Sequence, residues 1–194
     1  MTLQNRVDPY GALHAVAARG AWMGNRGRLH DADRRIVRPW QVQRWITCVL
    51  SFRDRKREVF SPNRYSELFF LDEATSLAAG HRPCAECRRK RYEEFRDALA
   101  LKTADEIDRV LHAERLDEDG RKRTYRAAPR SLPDGTMVEH GGTPHLLWRG
   151  ELRPWSFNGY RSEVAVPPET EVTVLTPPSI MAAIRAGFVP QVEC

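Results

Sequence analysis

The stretch Gly80-His81-Arg82-Pro83-Cys84-Ala85-Glu86-Cys87-Arg88 sets two cysteines three positions apart at the entrance to a basic run. A Cys-x-x-Cys turn holds its two sulfurs within about 4 Å, as tetrahedral Zn–S bonds near 2.3 Å require. Two thiolates make half a site, so the remaining ligands must come from elsewhere in the chain. Arg-Pro ahead of the first cysteine fixes the approach to the turn.

Upstream, residues 44–52 carry Trp45, Ile46, Cys48, Val49, Leu50 and Phe52, an apolar density that reads as a buried strand. The basic turn Arg53-Asp54-Arg55-Lys56-Arg57 and a second strand from Glu58 to Phe60 would complete a hairpin. Asp72 stands where a helix N-cap belongs, and Ala74, Leu77 and Ala78 share one face before Gly80 ends the helix and delivers the chain to Cys84. After Cys87, Tyr92, Phe95 and Leu99 are spaced as on a helix. The four basic residues Arg88-Arg89-Lys90-Arg91 open it and oppose its dipole, so a negative partner is required nearby, either thiolate-bound metal or a phosphate. Residues 103–116 show a further helical pattern carrying His112-Ala113-Glu114.

Charge divides the chain. Residues 1–130 hold 27 Lys and Arg against 19 Asp and Glu, net +8, whereas residues 131–194 hold 4 against 7, net −3. The second part changes character too, with strand-like runs at Thr136–Glu139, His145–Leu152 and Val172–Leu175 and a Pro-initiated helix ending near Gly187. The expected architecture is α+β, a basic domain over 1–130 and a small β-rich unit over 131–194 closed by one helix. The N-terminus lacks a signal-like apolar region and no run approaches a bilayer's span, which points to a cytoplasmic protein with no membrane partner. Four cysteines in such a chain point to metal or redox chemistry rather than a disulfide framework.

With these residues in hand, the segment 44–91 resembles the zinc-binding N-terminal domain of Ada-type DNA alkylation-repair proteins. Cys48 followed by a basic stretch, the helix ending Ala78-Ala79-Gly80, and Arg82-Pro83-Cys84-x-x-Cys87-Arg88 carry the likeness over about a quarter of the chain. The resemblance implies a zinc module in the basic domain, with Cys48, Cys84 and Cys87 as ligands. In that family the cysteine matching Cys48 also accepts a methyl group from alkylated DNA. The family's second cysteine falls on Phe52, so a fourth ligand must come from outside the segment, and the thiolate charge that activates the acceptor is reduced.

Candidates for that ligand are His30, His81, His112 and Cys194, with His30 in a glycine-bounded polar loop preferred and His112 as the alternative. If none binds, three thiolates leave an open position of the kind catalytic zinc uses. His30, Asp31 and Glu114 are then the candidate proton-transfer groups. Pro83-Cys84-x-x-Cys87 with His112-Ala113-Glu114 also contains the elements of a zinc nucleobase deaminase, in reversed order.

The first expectation is thus a zinc-containing nucleic-acid-binding protein, its partner DNA, with Arg26, Arg53, Arg55, Lys56, Arg57, Arg88, Arg89 and Arg91 meeting phosphates. The alternatives are a zinc-dependent hydrolase or deaminase acting on a nucleic acid or nucleotide, and an interaction protein with structural zinc.

Overall fold

The computed structural model describes residues 2–53, 58–164 and 170–193. Among the described residues, two six-stranded sheets and four α-helices give the expected α+β class. The first sheet comprises β1 (Arg6–Val7), β2 (Leu13–His14), β3 (Trp22–Asn25), β4 (Ile46–Cys48), β5 (Leu68–Phe70) and β6 (Arg82–Pro83) in the order β2-β1-β5-β3-β4-β6. Its centre is antiparallel, with Met23 opposite both Cys48 and Phe69, while β6 joins β4 in parallel. Gly24 makes this packing possible, because a Cβ there would lie 2.4 Å from Ile46 O and 2.8 Å from Phe70 Cε2.

The expected hairpin of residues 44–60 does not form. β4 pairs with β3 and β6, and Val59-Phe60 make a turn, with Phe60 at φ +59° and its amide donated to the Glu67 carboxylate. A local pairing lost to two partners distant in sequence, because the apolar strand is buried only between them.

α1 (Glu73–Ala78) starts as expected, Asp72 Oδ1 accepting from Thr75 N at 2.8 Å. Its last turn passes through Gly80 at φ +84°, where any Cβ would meet the Arg115 side chain at 2.6 Å. α2 (Arg89–Ala98) and α3 (Ala104–Arg115), the latter closed by a Thr103/Glu106 capping box, pack with α4 (Pro178–Arg185) around Phe95, Ile107, Leu111 and Ile184. The negative partner demanded by the basic start of α2 is Glu73: this wholly buried carboxylate accepts from Arg88 Nη2 and Arg91 Nη2, each at 2.6 Å.

The second sheet runs β11-β10-β9-β8-β12-β7 and is antiparallel throughout. Its strands are β7 (Tyr125–Ala127), β8 (Met137–His140), β9 (Thr143–Trp148), β10 (Glu151–Ser156), β11 (Gly159–Tyr160) and β12 (Val172–Val174). The run His145–Leu152, read as one strand, is two: Arg149 and Gly150, at φ +55° and +77°, turn β9 back into β10. The sheet takes β7 from before residue 131, and α4 inserts into the helical core, so side chains from both parts of the chain share cores.

Candidate metal centre

β4 and β6 are the scaffold of the cysteine cluster. Arg82 N donates to Trp45 O at 3.1 Å and Cys84 N to Thr47 O at 2.9 Å, so the turn after β6 is stitched to the strand that carries Cys48. Arg82 itself is anchored from behind by a bidentate pair with Asp108 of α3, both contacts 2.8 Å, with both side chains buried. Arg88 N then closes the turn on Cys84 O at 3.1 Å.

The sulfurs of Cys48, Cys84 and Cys87 all lie within 4.8 Å of one another, and no other His, Cys, Asp or Glu among the described residues joins the group. Three soft donors at this separation, around positions a tetrahedral metal would hold about 3.8 Å apart, fit a thiolate-bound ion such as zinc. The Glu86 amide points at Cys84 Sγ from 3.4 Å, an N–H···S contact of the kind that orients a thiolate. The three thiols share their protons unequally. Hydrogen bonds from Cys48 and then Cys87 draw the Cys84 thiol far below the ordinary range, whereas donating to those two sulfurs pushes Cys48 far above it. At Cys87 the hydrogen bond from Cys48 pulls downward, but the bond to Cys84 and burial together leave it raised.

The three cysteines form part of the wall of a cavity of about 300 Å³. Ile46, Leu50, Phe52 and Phe69 supply apolar lining, and Asn25, Tyr65, Glu67 and Glu86 supply polar groups. Glu67 is buried, and its Oε2 is fixed at the wall by accepting from Phe60 N at 2.9 Å. Arg53, exposed, lies over the Phe52 ring at 4.9 Å, close to this lining.

Most other expected site residues lie elsewhere. His30 stacks on Phe60 with centroids 4.5 Å apart and bonds Ser66 Oγ through Nδ1 at 2.7 Å and Ser61 O through Nε2 at 3.2 Å, so both ring nitrogens are spent on structure. Asp31 caps its own loop, accepting from Asp33 N and Arg35 N. Glu114 caps α4, accepting from Ser179 N and Oγ. His112 packs edge-on against Trp40, with Nδ1 3.0 Å from Arg115 Nη2. His81 is buried, held well below its ordinary pKa by desolvation and by Arg26 and Arg115, and takes the Arg26 Nε–H at 3.2 Å. None of these joins the cysteines.

Among the expected phosphate contacts, Arg26 and Arg88 are buried and cannot meet a polymer: Arg26 stacks on Trp45 and Arg88 on Trp22. Arg91 is drawn onto Glu73, and Arg89 is exposed beside Glu93. Arg55, Lys56, Arg57 and Cys194 lie outside the described residues.

Sequence reasoning missed Glu67, whereas Asn25 opens the Asn25–Asp31 loop expected to face the metal in the enzyme reading and does line the cysteine cavity. The available signal was a carboxylate abutting the apolar strand Leu68-Phe69-Phe70, a position where burial demands a reason. Comparison of the chain with protein-family models, curated proteins and solved structures finds no match. No helix among the described residues is long and apolar enough to cross a membrane.

Proposed function

We propose that this chain is a zinc-dependent enzyme of the three-thiolate type, hydrolytic or deaminating, acting on a small and largely apolar substrate such as a nucleobase-sized ring. The observation that carries it is the position of Cys48, Cys84 and Cys87 in the wall of a cavity that also holds Glu67 and Asn25. Cys48, Cys84 and Cys87 would hold the zinc, which would supply a Lewis acid. The protein's own part is to bind and to move protons. Phe52, Phe69 and Ile46 take the apolar face of the substrate and exclude water, and the Asn25 amide orients a polar edge. Glu67 is the proton-transfer group, since its carboxylate is fixed by Phe60 N at the cavity wall. This assigns to Glu67 the role first given to His30, Asp31 or Glu114.

The nucleic-acid-binding reading loses two of its expected phosphate contacts, because Arg26 and Arg88 are committed inside the fold. Methyl acceptance by Cys48 needs an alkylated polymer at a cavity sized for a small molecule.

Cobalt-loaded protein tests the proposal. Its visible ligand-field bands shift when imidazole or a small thiol is titrated in, if one position is exchangeable, and Glu67→Gln keeps those bands while losing turnover on a panel of nucleobases and cyclic amides. Bands indifferent to every added ligand mean a sealed structural site and end the enzymatic reading. Duplex DNA binding that falls steeply with salt, on wild type but not on Arg53→Ala/Arg89→Ala, would favour the polymer-binding reading instead.

A further inference from the structure

A second cavity, of about 210 Å³, opens on the other face of the first sheet. Asn25 and Ile46, paired across β3 and β4, line the cysteine cavity, while their neighbours Arg26 and Trp45 line this one. Side chains adjacent in an extended chain point to opposite faces, which puts the sheet between the two cavities.

Three cations, Arg26, Arg115 and Lys122, share its wall with the aromatic side chains of Tyr10, Trp40 and Trp45. Both guanidinium carbons lie over the Trp45 ring, at 4.1 and 4.0 Å from its centroid. Among the described residues the hydrogen-bond partners of the three are neutral: Gly11 O, Pro39 O and His81 for Arg26, Gly80 O, Gln43 O and His112 for Arg115, Ala78 O for Lys122. The nearby carboxylates are engaged elsewhere, Asp8 by His14 and the Ala12 amide, Asp108 by Arg82. Arg26 is 2 % exposed, yet its Nη2 has no partner among the described residues, and neither has Arg115 Nε. A Cβ built on Gly11, another wall residue, would sit 3.6 Å from that Nη2, so the orphan nitrogen lies at the wall.

Asp8 attracts Arg26 and Lys122, and Asp108 attracts Arg115, only through space; burying three cations with no hydrogen-bonded anion is costly, and leaving an N–H of a buried guanidinium unmet adds to the cost. Desolvation accordingly holds Arg26 and Arg115 down to about 9 and Lys122 down to about 7. The missing component is negative, bears several acceptor oxygens, and is small: the volume lies below the roughly 300–1,000 Å³ of drug-sized ligand sites.

We infer that this cavity is a binding site for a small phosphomonoester, its phosphate held by Arg26, Arg115 and Lys122 and its apolar or aromatic part against Trp40 and Tyr10. Guanidinium groups match phosphate oxygens in geometry and charge, and the indole and phenol rings favour an aromatic alcohol or sugar over bare phosphate. The site is separate from the cysteine cluster and stands whether or not the enzymatic reading does.

Isothermal titration calorimetry on the full-length, zinc-loaded chain tests it, with phenyl phosphate, inorganic phosphate, phenol and a single-stranded oligonucleotide as probes. Expected are saturable binding of phenyl phosphate, weaker binding of inorganic phosphate and none of phenol. Lys122→Met should weaken phenyl phosphate binding by roughly tenfold or more, the worth of one charge-assisted hydrogen bond, while Arg161→Met on the exposed surface leaves it unchanged. Should Lys122→Met not fold, Lys122→Gln serves, and the wild-type titrations decide alone if neither folds. Absence of saturable phenyl phosphate binding, or equal binding by the folded Lys122 variant, overturns the site. An oligonucleotide that displaces phenyl phosphate overturns the small-molecule assignment in favour of polymer phosphate.

Discussion

Asp108→Ala is the substitution that most sharply probes how the cysteine turn is held. Asp108 and Arg82 are 8 % and 2 % exposed at their side chains and share two contacts of 2.8 Å, so the pair is desolvated and bidentate. Removing the carboxylate leaves the Arg82 guanidinium with Pro83 O at 3.1 Å and the Tyr92 ring, neither of which carries a full negative charge. Two charge-assisted hydrogen bonds at about 1.5–3 kcal/mol each, and the general cost of orphaning a buried ion, agree on about 3–5 kcal/mol. Against the roughly 5–15 kcal/mol of a typical domain, that is a large fraction of the whole. Urea unfolding at fixed, saturating zinc measures it, because ligand linkage otherwise shifts the midpoint. The variant should also bind zinc more weakly, since Arg82 sits one pair before Thr47↔Pro83 and two residues before Cys84. The double variant Arg82→Met/Asp108→Leu should recover to within about 1–2 kcal/mol of wild type, as apolar replacements of buried pairs do. A loss below about 1 kcal/mol for Asp108→Ala, the worth of an exposed pair, would refute the claim that this ion pair is buried and anchors the turn.

Gly24→Ala should lower the thermal midpoint through a loss of about 1–3 kcal/mol or more, because the new methyl group meets Ile46 O and the Phe70 ring and pries β3 from β4. Glu114→Ala should cost only about 0.5–2 kcal/mol through the lost cap on α4 and leave zinc content and turnover intact, a result that chemical denaturation and metal analysis together establish. For Lys122, whose folded pKa near 7 lies below the ordinary 10.5, the unfolded chain takes up the proton first as pH falls. The burden on the folded state is therefore complete below about pH 7 and gone above about 10.5, so the stability advantage of Lys122→Met in phosphate-free buffer should shrink as pH rises between them, by at most about 1.4 kcal/mol per pH unit. Paired urea titrations near pH 7 and pH 9.5 read this difference, and an advantage that grows with pH would contradict it.

What could be read from sequence was local. The Asp72 cap, the Gly80 stop and the helices after Cys87 and Thr103 each depend on spacing within a few turns, whereas Cys48 is joined to Cys84 and Cys87 through the resemblance to Ada-type domains. The hairpin expected after Cys48 failed because strand pairing is decided by which surfaces get buried, and β3 and β6 together cover β4 on both edges. The arginines misled for a related reason. A run of positive charge reads as a solvated face, yet Arg26, Arg82, Arg88 and Arg115 all lie inside the fold, stacked on aromatic rings or turned onto carboxylates and carbonyls. Glu73 shows the same logic from the acidic side, answering the charge at the start of α2 from a different helix. Neither cavity was legible, since each is assembled from segments separated by tens of residues.

The central claim is a three-thiolate metal centre open to the cysteine cavity, and X-ray absorption at the zinc edge on the purified, zinc-loaded chain tests it most directly. The account predicts one zinc per chain with three sulfur neighbours near 2.3 Å and a single oxygen or nitrogen neighbour at about 2.0 Å, unchanged in His30→Ala and His112→Ala. Four sulfur neighbours, loss of the light-atom neighbour in either histidine variant, or no metal in protein purified without chelators would contradict it.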